Sequence, residues 1–273
     1  MDASSTKCET REMASAATES DSGERSPDLD AISVLAVVER AISTSMVLDN
    51  PVWHALTDAH ADLAIGRGLA RHYPRDVAPF SGISEPSDQA YADLAIDLPA
   101  GTEARLFRPA DEPVPQGWEA ISARPILQML NEHPRSSASG AGQDDGVVSL
   151  GAKDTGDMAE LAEAAKPGPF GARTGLLGRY VGIRRDGRLI AMAGERMRLA
   201  GRVELSGICT HPSFRGQGLA FALTEHLASE AFQRGEVPFL HVFPDNPAAV
   251  LYERLGFRTR ARLFVLWRRP RNG

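Results

Sequence analysis

The stretch from Val203 to Ala220 places the strongest constraint on what this chain can fold into. Its first part, Val203 to Thr210, is a β-like run that ends at His211-Pro212. A short turn containing glycines follows, and an apolar segment with helical spacing then runs from Leu219 to about Arg234. A strand, a glycine-rich turn and a helix in this order can form a phosphate site. Glycines let the backbone approach a ligand closely, and a helix N-terminus offers unpaired N–H groups and a positive dipole end.

The residues of the turn exclude the two commonest phosphate loops. A Walker-type loop needs Gly-Lys followed by Ser or Thr, and the turn contains no such sequence. The dinucleotide fingerprint needs a glycine or alanine three residues after Gly218, and that residue is Phe221. The pattern that remains is Arg-x-x-Gly-x-Ala, formed by Arg215, Gly218 and Ala220, with the arginine adding a positive charge at the mouth.

A second motif follows the helix. A strand is expected at Val237 to Val242, and soon afterwards the chain reads Asn-Pro-Ala-Ala-Val-Leu-Tyr-Glu-Arg-Leu-Gly-Phe. Asn246 suits a helix N-cap, Pro247 suits the first helical position, and Gly256 suits a left-handed helix end. The two motifs in this order resemble those of the GCN5-related N-acetyltransferases, the GNAT family. The closing Leu-Gly-Phe resembles the FR47-like branch of that family.

The resemblance covers roughly residues 146–273 and implies an acetyl-CoA-dependent N-acetyltransferase. Such an enzyme transfers an acetyl group to a primary amine of a small molecule, an amino acid or a peptide, by direct attack. Acetyl-CoA is then a co-substrate. Backbone groups of the strand end would pair with its pantetheine arm, the turn would hold its pyrophosphate, and the asparagine would approach the pantetheine. The implied cofactor-binding residues are Ile208, Cys209, Thr210, Arg215, Gly216, Gln217, Gly218, Leu219, Ala220 and Asn246.

The resemblance also implies a general base and a general acid. At pH 7 only about one primary amine in 10³ is unprotonated, because its pKa is about 10.4, so a base assists the attack. Glu204, on the strand that leads to the cofactor, is the candidate base, with an exposed strand residue in a salt bridge as the alternative reading. Glu195 on the preceding strand is the rival base. Tyr252 matches the tyrosine that protonates the leaving thiolate, with core packing as its alternative role. Cys209 is expected to be a small buried residue and not a nucleophile.

Composition limits the partners and the compartment. The 273 residues carry a net charge of −6, which argues against a general nucleic-acid or anionic-membrane binder. No apolar run approaches the roughly 18 residues that a membrane span needs. Cys8 and Cys209 provide no disulfide framework, so a reducing, cytoplasmic location is expected. His54, His60 and His72 lack the spacing of a short metal motif, and no metal is assigned. The expected partners are acetyl-CoA and an amine acceptor, and a homodimer is left open.

Three segments are expected along the chain. Residues 1–28 are rich in Ser, Thr, Glu and Asp, which is typical of a disordered tail. Residues 29–145 combine helical and alternating apolar spacing, which predicts a smaller mixed α/β N-terminal domain that ends in a Ser-, Gly- and Asp-rich linker. Residues 146–273 are expected to form the acetyltransferase domain. The expected fold class is α/β (α+β), with a mixed, mostly antiparallel sheet flanked by helices.

Local patterns predict individual elements. Tyr91 to Leu98 alternates apolar and polar residues and predicts a strand, which Pro99-Ala-Gly101 would turn into a hairpin. Asp186-Gly187 predicts a hairpin between the strands on either side of it. The apolar run from Phe257 to Trp267 is expected to form a closing hairpin.

Two further readings of function stay open at this level. A non-catalytic CoA-binding sensor would keep the turn from Arg215 to Ala220 but would not require Glu204 or Tyr252. An interaction protein would use residues 29–130 as its working surface and the acetyltransferase fold as a scaffold.

Overall fold

A computed structural model describes residues 46–134 and 146–271. The predicted tail at 1–28, residues 29–45 of the predicted N-terminal domain, and most of the predicted linker lie outside these residues. None of the helices in the described ranges has the length and apolar character of a membrane-spanning segment.

The described part combines α-helices with two sheets. The helices are α1 (Pro51–Thr57), α2 (Asp88–Asp97), α3 (Thr155–Ala165), α4 (Leu219–Gln233) and α5 (Ala248–Arg254). The strands are β1 (Ala70–His72), β2 (Ser81–Ile83), β3 (Ala104–Arg108), β4 (Trp118–Leu130), β5 (Val147–Leu150), β6 (Tyr180–Arg185), β7 (Arg188–Leu199), β8 (Arg202–Thr210), β9 (Val237–Val242) and β10 (Arg258–Pro270).

The main sheet has eight strands in the order β3-β10-β4-β9-β8-β7-β6-β5, and β1 and β2 form a separate two-stranded sheet. Neighbouring strands of the main sheet are antiparallel except for β8 and β9, which are parallel. The predicted mixed, mostly antiparallel sheet is therefore confirmed. The predicted turn at Asp186-Gly187 joins β6 and β7, and both residues have positive φ angles, 51° and 78°.

The main sheet runs across the predicted domain boundary at 145/146. Strands β3 and β4 come from the upstream half of the chain, and both pair with β10, which lies between them. β4 also pairs with β9. The residues from Ser43 onwards form one unit, to whose main sheet the upstream half of the chain contributes two strands.

Two local predictions are wrong. Tyr91 to Asp97 belongs to helix α2 and Leu98 is its C-cap, and Ser87 Oγ caps the other end of the helix by accepting a hydrogen bond from the Ala90 N–H at 3.3 Å. The alternating pattern is also compatible with helical spacing, and Ala90, Tyr91 and Leu94 are buried together. The segment from Phe257 to Trp267 forms no closing hairpin. It lies in the single strand β10, whose partners come from far upstream.

Helices cover both faces of the main sheet. On one face, Leu223 and Leu227 of α4 pack with Leu205 and Leu240 of the central strands. On the other face, α1 and neighbouring residues pack on Phe239 and the outer strands, and α3 packs on β7 and β8. Each large apolar side chain buried in these layers contributes roughly 1.5–3 kcal/mol. The layers leave the end of the sheet beside β8 and β9 open.

Candidate active site

The site begins where two parallel strands separate. β8 and β9 are paired only at Arg202–Val237, Val203–Pro238 and Glu204–Phe239. Beyond these pairs the strands diverge, and a cleft of about 880 Å³ opens between them. Backbone polar groups that have lost a neighbouring strand need another partner. The two separated strand ends can therefore pair with an extended ligand that enters the cleft.

The glycine-rich turn lies at the mouth of this cleft. Gly216 and Gly218 have φ angles of 77° and 76°, a left-handed conformation that glycine adopts without steric cost. A Cβ placed on either residue would meet no protein atom within 4 Å, so the space beside the turn is open. Helix α4 begins directly after the turn, at Leu219. Its N-terminal N–H groups and the nearby charge of Arg215 make this end of the cleft suitable for an anion.

Helix α5 forms the opposite side of the cleft. Asn246 Oδ1 accepts a hydrogen bond from the Ala248 N–H at 2.9 Å and so orders the start of the helix. Tyr252 lies on α5, lines the cleft and is 8% exposed. Burial raises the pKa of its phenol to about 12, with a smaller contribution from Cys209. The phenol is therefore protonated throughout the neutral range.

All of the predicted cofactor-binding residues line this one cleft, together with Tyr252. Cys209 is among them and is 7% exposed, and burial raises the pKa of its thiol to about 12. A thiol with that pKa carries almost no thiolate at neutral pH, as expected for a buried residue that is not a nucleophile. Lys166 and Arg254 also line the cleft and add positive charge to it.

Glu204 does not line the cleft, and its environment does not suit a general base. Its side chain is fully buried on the sheet face opposite Leu205, and Arg196 Nε donates a hydrogen bond to its Oε2 at 2.7 Å. Burial alone would raise the pKa of Glu204, but the charge and hydrogen bonds of Arg196, with a hydrogen bond from His241, lower it to about 2. A carboxylate with this pKa and no access to the cleft is a poor proton acceptor. The prediction of Glu204 as the base is therefore corrected to a buried ion pair.

His241 connects this ion pair to the upstream half of the chain. Its Nδ1 lies 2.7 Å from Glu204 Oε1, and its Nε2 lies 3.1 Å from Gln128 Nε2. Gln128 Nε2 also donates to the Leu48 carbonyl at 2.8 Å, so it is an amide donor. It follows that Nδ1 of the imidazole carries the proton, and burial lowers the pKa of His241. Both ring nitrogens are occupied, so this histidine is not a base either.

The rival base, Glu195, is also buried in ion pairs. It is 1% exposed, and its carboxylate contacts Arg198 at 2.9 Å and Arg234 at 2.5 Å. It does not line the cleft. Both carboxylates that the sequence offered as bases therefore stabilise the sheet.

Sequence reasoning missed Arg196, Gln128 and His241. Arg196 reaches Glu204 across the β7–β8 hairpin, whose register is shifted by bulges, so chain spacing does not reveal the pair. Gln128 reaches His241 from 113 residues away in the chain. Only the position of His241 could have been inferred from the sequence. It lies two residues after Phe239 on β9 and therefore faces the same side of the sheet as Phe239.

The fold and this cleft define the class of the protein: a mixed α/β fold in which two diverging parallel strands open beside a glycine-rich helix start. The profile of the FR47-like protein family matches residues 180–265. A crystal structure from Novosphingobium aromaticivorans, of a protein assigned to the GNAT acetyltransferases, is 37% identical with a TM-score of 0.74. The match covers 81% of this chain and 97% of that chain. The chain belongs to the GNAT family.

One more distant structure shows similarity of fold. A conserved protein of unknown function from Staphylococcus epidermidis is 12% identical, with a TM-score of 0.51 over 78% of this chain and 96% of that chain. A GCN5-related N-acetyltransferase from Kribbella flavida is 25% identical, with a TM-score of 0.42 over 57% of this chain and 61% of that chain. A comparison with curated proteins gave no match.

Proposed function

We propose that the protein is an N-acetyltransferase that transfers an acetyl group from acetyl-CoA to a primary amine by direct attack. The observation that carries this proposal is the cleft between β8 and β9, which brings every residue of the two family motifs singled out for the cofactor into one lining. The acceptor is a small molecule, an amino acid or a peptide. A cytoplasmic location, without nucleic acid or membrane as partner, remains part of the proposal.

The chain's residues divide the binding task by chemistry. Backbone groups of the segment Ile208, Cys209 and Thr210, on the edge of β8 that no longer pairs with β9, hold the amide-bearing pantetheine arm as a neighbouring strand would. The turn from Arg215 to Ala220 and the start of α4 hold the pyrophosphate. Asn246 orders the start of α5 beside the pantetheine. Acetyl-CoA itself supplies an activated acetyl group as a thioester.

Tyr252 acts on the leaving group in this proposal. An ordinary thiol has a pKa of about 8.5, well below the value of about 12 for this phenol. Complete transfer of the phenolic proton to a thiolate is therefore unfavourable. We assign Tyr252 the role of a hydrogen-bond donor that stabilises the charge developing on sulfur, with solvent supplying the final proton.

Deprotonation of the acceptor amine falls to water. The two carboxylates considered as bases are ion-paired away from the cleft, and His241 has both nitrogens occupied. The acetylation rate should then follow the fraction of neutral amine. It should rise about tenfold per pH unit until the pH approaches the amine's own pKa, about 10.4 for an alkyl amine.

The same burial of Glu204 and Glu195 favours one alternative, a CoA-binding sensor or interaction module without catalysis. Thiol release from acetyl-CoA in the presence of an amine separates the two functions. Turnover that depends on enzyme and amine supports the transferase, and tight binding without turnover supports the sensor.

Thermal unfolding with acetyl-CoA, with CoA and without ligand tests the binding step. At about 100 times the dissociation constant, a ligand of the native state adds roughly 2.7 kcal/mol. For a chain of this size each kcal/mol raises Tm by about 2–4 °C. Arg215→Ala should weaken acetyl-CoA binding by about 1.5–3 kcal/mol, because a charge-assisted hydrogen bond is lost. Arg262→Ala, at an exposed arginine outside the cleft, is the matched control. Equal affinities of the Arg215 variant and the parent contradict the assigned role.

A further inference from the structure

A row of polar side chains crosses five neighbouring strands of the main sheet. Its members, in the order of the strands β10, β4, β9, β8 and β7, are Arg260, Gln128, His241, Glu204 and Arg196. Each side chain is within hydrogen-bond distance of the next, beginning with Arg260 Nη1, which donates to Gln128 Oε1 at 2.8 Å. The side chains of His241 and Glu204 in the middle of the row are 1% and 0% exposed. The row therefore runs through the buried interior of the molecule.

Stability alone does not account for such a row. Burying a charged pair costs desolvation free energy, and well-packed apolar side chains of similar volume often stabilise a core as well or better. The surroundings of His241 are apolar, since the rings of Phe107 and Phe239 lie 4.7 and 5.7 Å from its own ring. Hydrogen bonds supply what apolar contacts do not, a defined distance and direction between two groups. The geometry that the row fixes is thus its distinctive contribution.

One link of the row crosses a gap between strands. The last backbone pair of β8 and β9 joins Glu204 to Phe239, and we call the point beyond this pair the fork. His241 lies two residues past Phe239 and is among the residues that line the cofactor cleft, with Leu240 and Val242. The contact of 2.7 Å between its Nδ1 and Glu204 Oε1 therefore joins β8 and β9 beyond the fork. The other links of the row join strands whose backbones are paired with each other.

Both ends of this link are held in place. On β9, His241 is the direct cross-strand partner of Gln128, whose side chain contacts the second ring nitrogen. On β8, the Arg196 guanidinium donates to both oxygens of the Glu204 carboxylate and lies over the Phe80 ring, with Cζ 4.8 Å from its centroid. A hydrogen bond between two groups that are each fixed to their own strand sets the distance between the strands.

The width of the fork matters for an extended ligand. A ligand that pairs with both strands needs a gap of about 9–10 Å, twice the usual spacing of neighbouring strands. We propose that His241 is a positioning residue whose hydrogen bond to Glu204 fixes the separation of β8 and β9 where the cofactor cleft begins. The proposal rests on the proposed acetyltransferase function for the identity of the ligand. The hydrogen bond belongs to the protein itself and can be tested without ligand.

Three variants separate positioning from packing. His241→Phe keeps a ring in the core and removes the hydrogen bond, while Glu204 keeps Arg196 as its counter-charge. His241→Asn places an amide N–H close to the position of Nδ1 and so keeps a donor for Glu204, although the smaller side chain packs less well. Gln128→Leu interrupts the row between β4 and β9, whose backbones are paired on both sides of that residue. All three variants should lose stability, but only His241→Phe should release the fork.

Hydrogen–deuterium exchange without ligand measures the fork directly. Amides of residues 205–210 and 240–242 should exchange at least tenfold faster in His241→Phe than in the parent. In His241→Asn and Gln128→Leu their exchange should stay within threefold of the parent. Glu204→Asp keeps the charge beside Arg196 and withdraws the carboxylate by one methylene. It should reproduce the result of His241→Phe and replaces that variant if it does not fold. Exchange that follows the loss of stability in all variants, or that is unchanged in the variants without the hydrogen bond, overturns the proposal.

Titration calorimetry with acetyl-CoA connects the fork to the cofactor. The dissociation constant should rise at least tenfold in His241→Phe and stay within threefold of the parent in His241→Asn and Gln128→Leu. Equal affinities of His241→Phe and the parent overturn the positioning role and leave the proposed function intact. Faster exchange at the fork in His241→Phe, together with a parent protein that does not bind acetyl-CoA, supports the link between the strands and refutes the proposed function.

Discussion

Tyr252 is the residue whose contribution to catalysis can be separated most clearly from its contribution to packing. Tyr252→Phe removes the hydroxyl and keeps the ring that packs against Phe257, with ring centroids 6.2 Å apart. We expect turnover to fall by about 10²–10³-fold, the usual range for loss of one positioned hydrogen-bond donor to a developing charge. The affinity for acetyl-CoA and the Tm should change little. A variant that turns over at the parent rate would leave Tyr252 with a packing role only.

For Glu204 we expect the opposite result, a loss of stability, because the residues that contact its carboxylate belong to the buried core of the fold. Glu204→Gln leaves Arg196 buried without a counter-charge, and breaking a buried pair in this way costs about 3–5 kcal/mol. Urea unfolding at pH 7 measures the loss. Arg196→Gln combined with Glu204→Gln should recover part of it, since the double variant leaves no buried charge unpaired. A Glu204→Gln protein with parental stability but little turnover would restore the carboxylate as a base.

The pH dependence of stability follows from the same carboxylate. Its pKa is about 2 in the folded protein, below its ordinary value of 4.5. The stabilisation by the ionised form is therefore fully present above about pH 4.5 and is lost as the pH falls from there towards 2. Urea unfolding between pH 7 and pH 3 should show the gap between parent and Glu204→Gln narrowing towards low pH. A gap that stays constant would contradict the assigned pKa.

At the scale of elements, the turn before α4 carries the phosphate site. Gly218→Val forces a β-branched residue into a left-handed conformation and places a side chain in the open space beside the turn. Gly201→Val is the matched control, because Gly201 also has a positive φ, 65°, and open surroundings, but lies in the β7–β8 turn outside the cleft. Both variants should lose about 1–3 kcal/mol of stability. Only Gly218→Val should abolish the acetyl-CoA thermal shift, and equal shifts in the two variants would contradict the phosphate role.

Helices, strands and turns could be predicted from the sequence where the residues that specify them are close together in the chain. The strand–turn–helix from Val203 onwards and the hairpin at Asp186-Gly187 depend on neighbouring residues, and both are present. The segment from Tyr91 to Leu98 was misjudged because its apolar residues fit a period of two as well as a helical face. The Ser87 cap, a few residues upstream, decides between them. The order of the two motifs predicts that the cofactor-binding residues line one cleft. The partners of Glu204 could not be predicted in this way, because they lie on other strands.

For the whole molecule, the upstream strands complete the sheet. A chain of residues 146–273 lacks β3 and β4, which leaves both edges of β10 and one edge of β9 without partners. Unpaired strand edges promote aggregation, so we expect this fragment to be insoluble. A chain that begins at Ser43 keeps every described element and should remain soluble. Yield and size-exclusion chromatography compare the two. A soluble 146–273 fragment with cooperative unfolding would establish the separate domain expected from composition.

Composition alone could not reveal this arrangement, because it reports where the chain becomes polar and not which strands pair. The polar segment after Asn131 has the composition of a linker between domains. It nevertheless follows β4, a strand held between β9 and β10. Pairing over such distances depends on complementary strand faces, which a single sequence does not display.

The position of β10 between two upstream strands also affects the order of events during synthesis. Arg269 of β10 contacts Glu119 of β4, 150 residues earlier in the chain. β3 and β4 therefore leave the ribosome well before the strand that joins them exists. Contacts of such long sequence separation slow folding, since loop-closure entropy must be overcome before the pairing is gained. The upstream half thus has an interval in which its strand edges are open, and chaperones would act on the nascent chain during that interval.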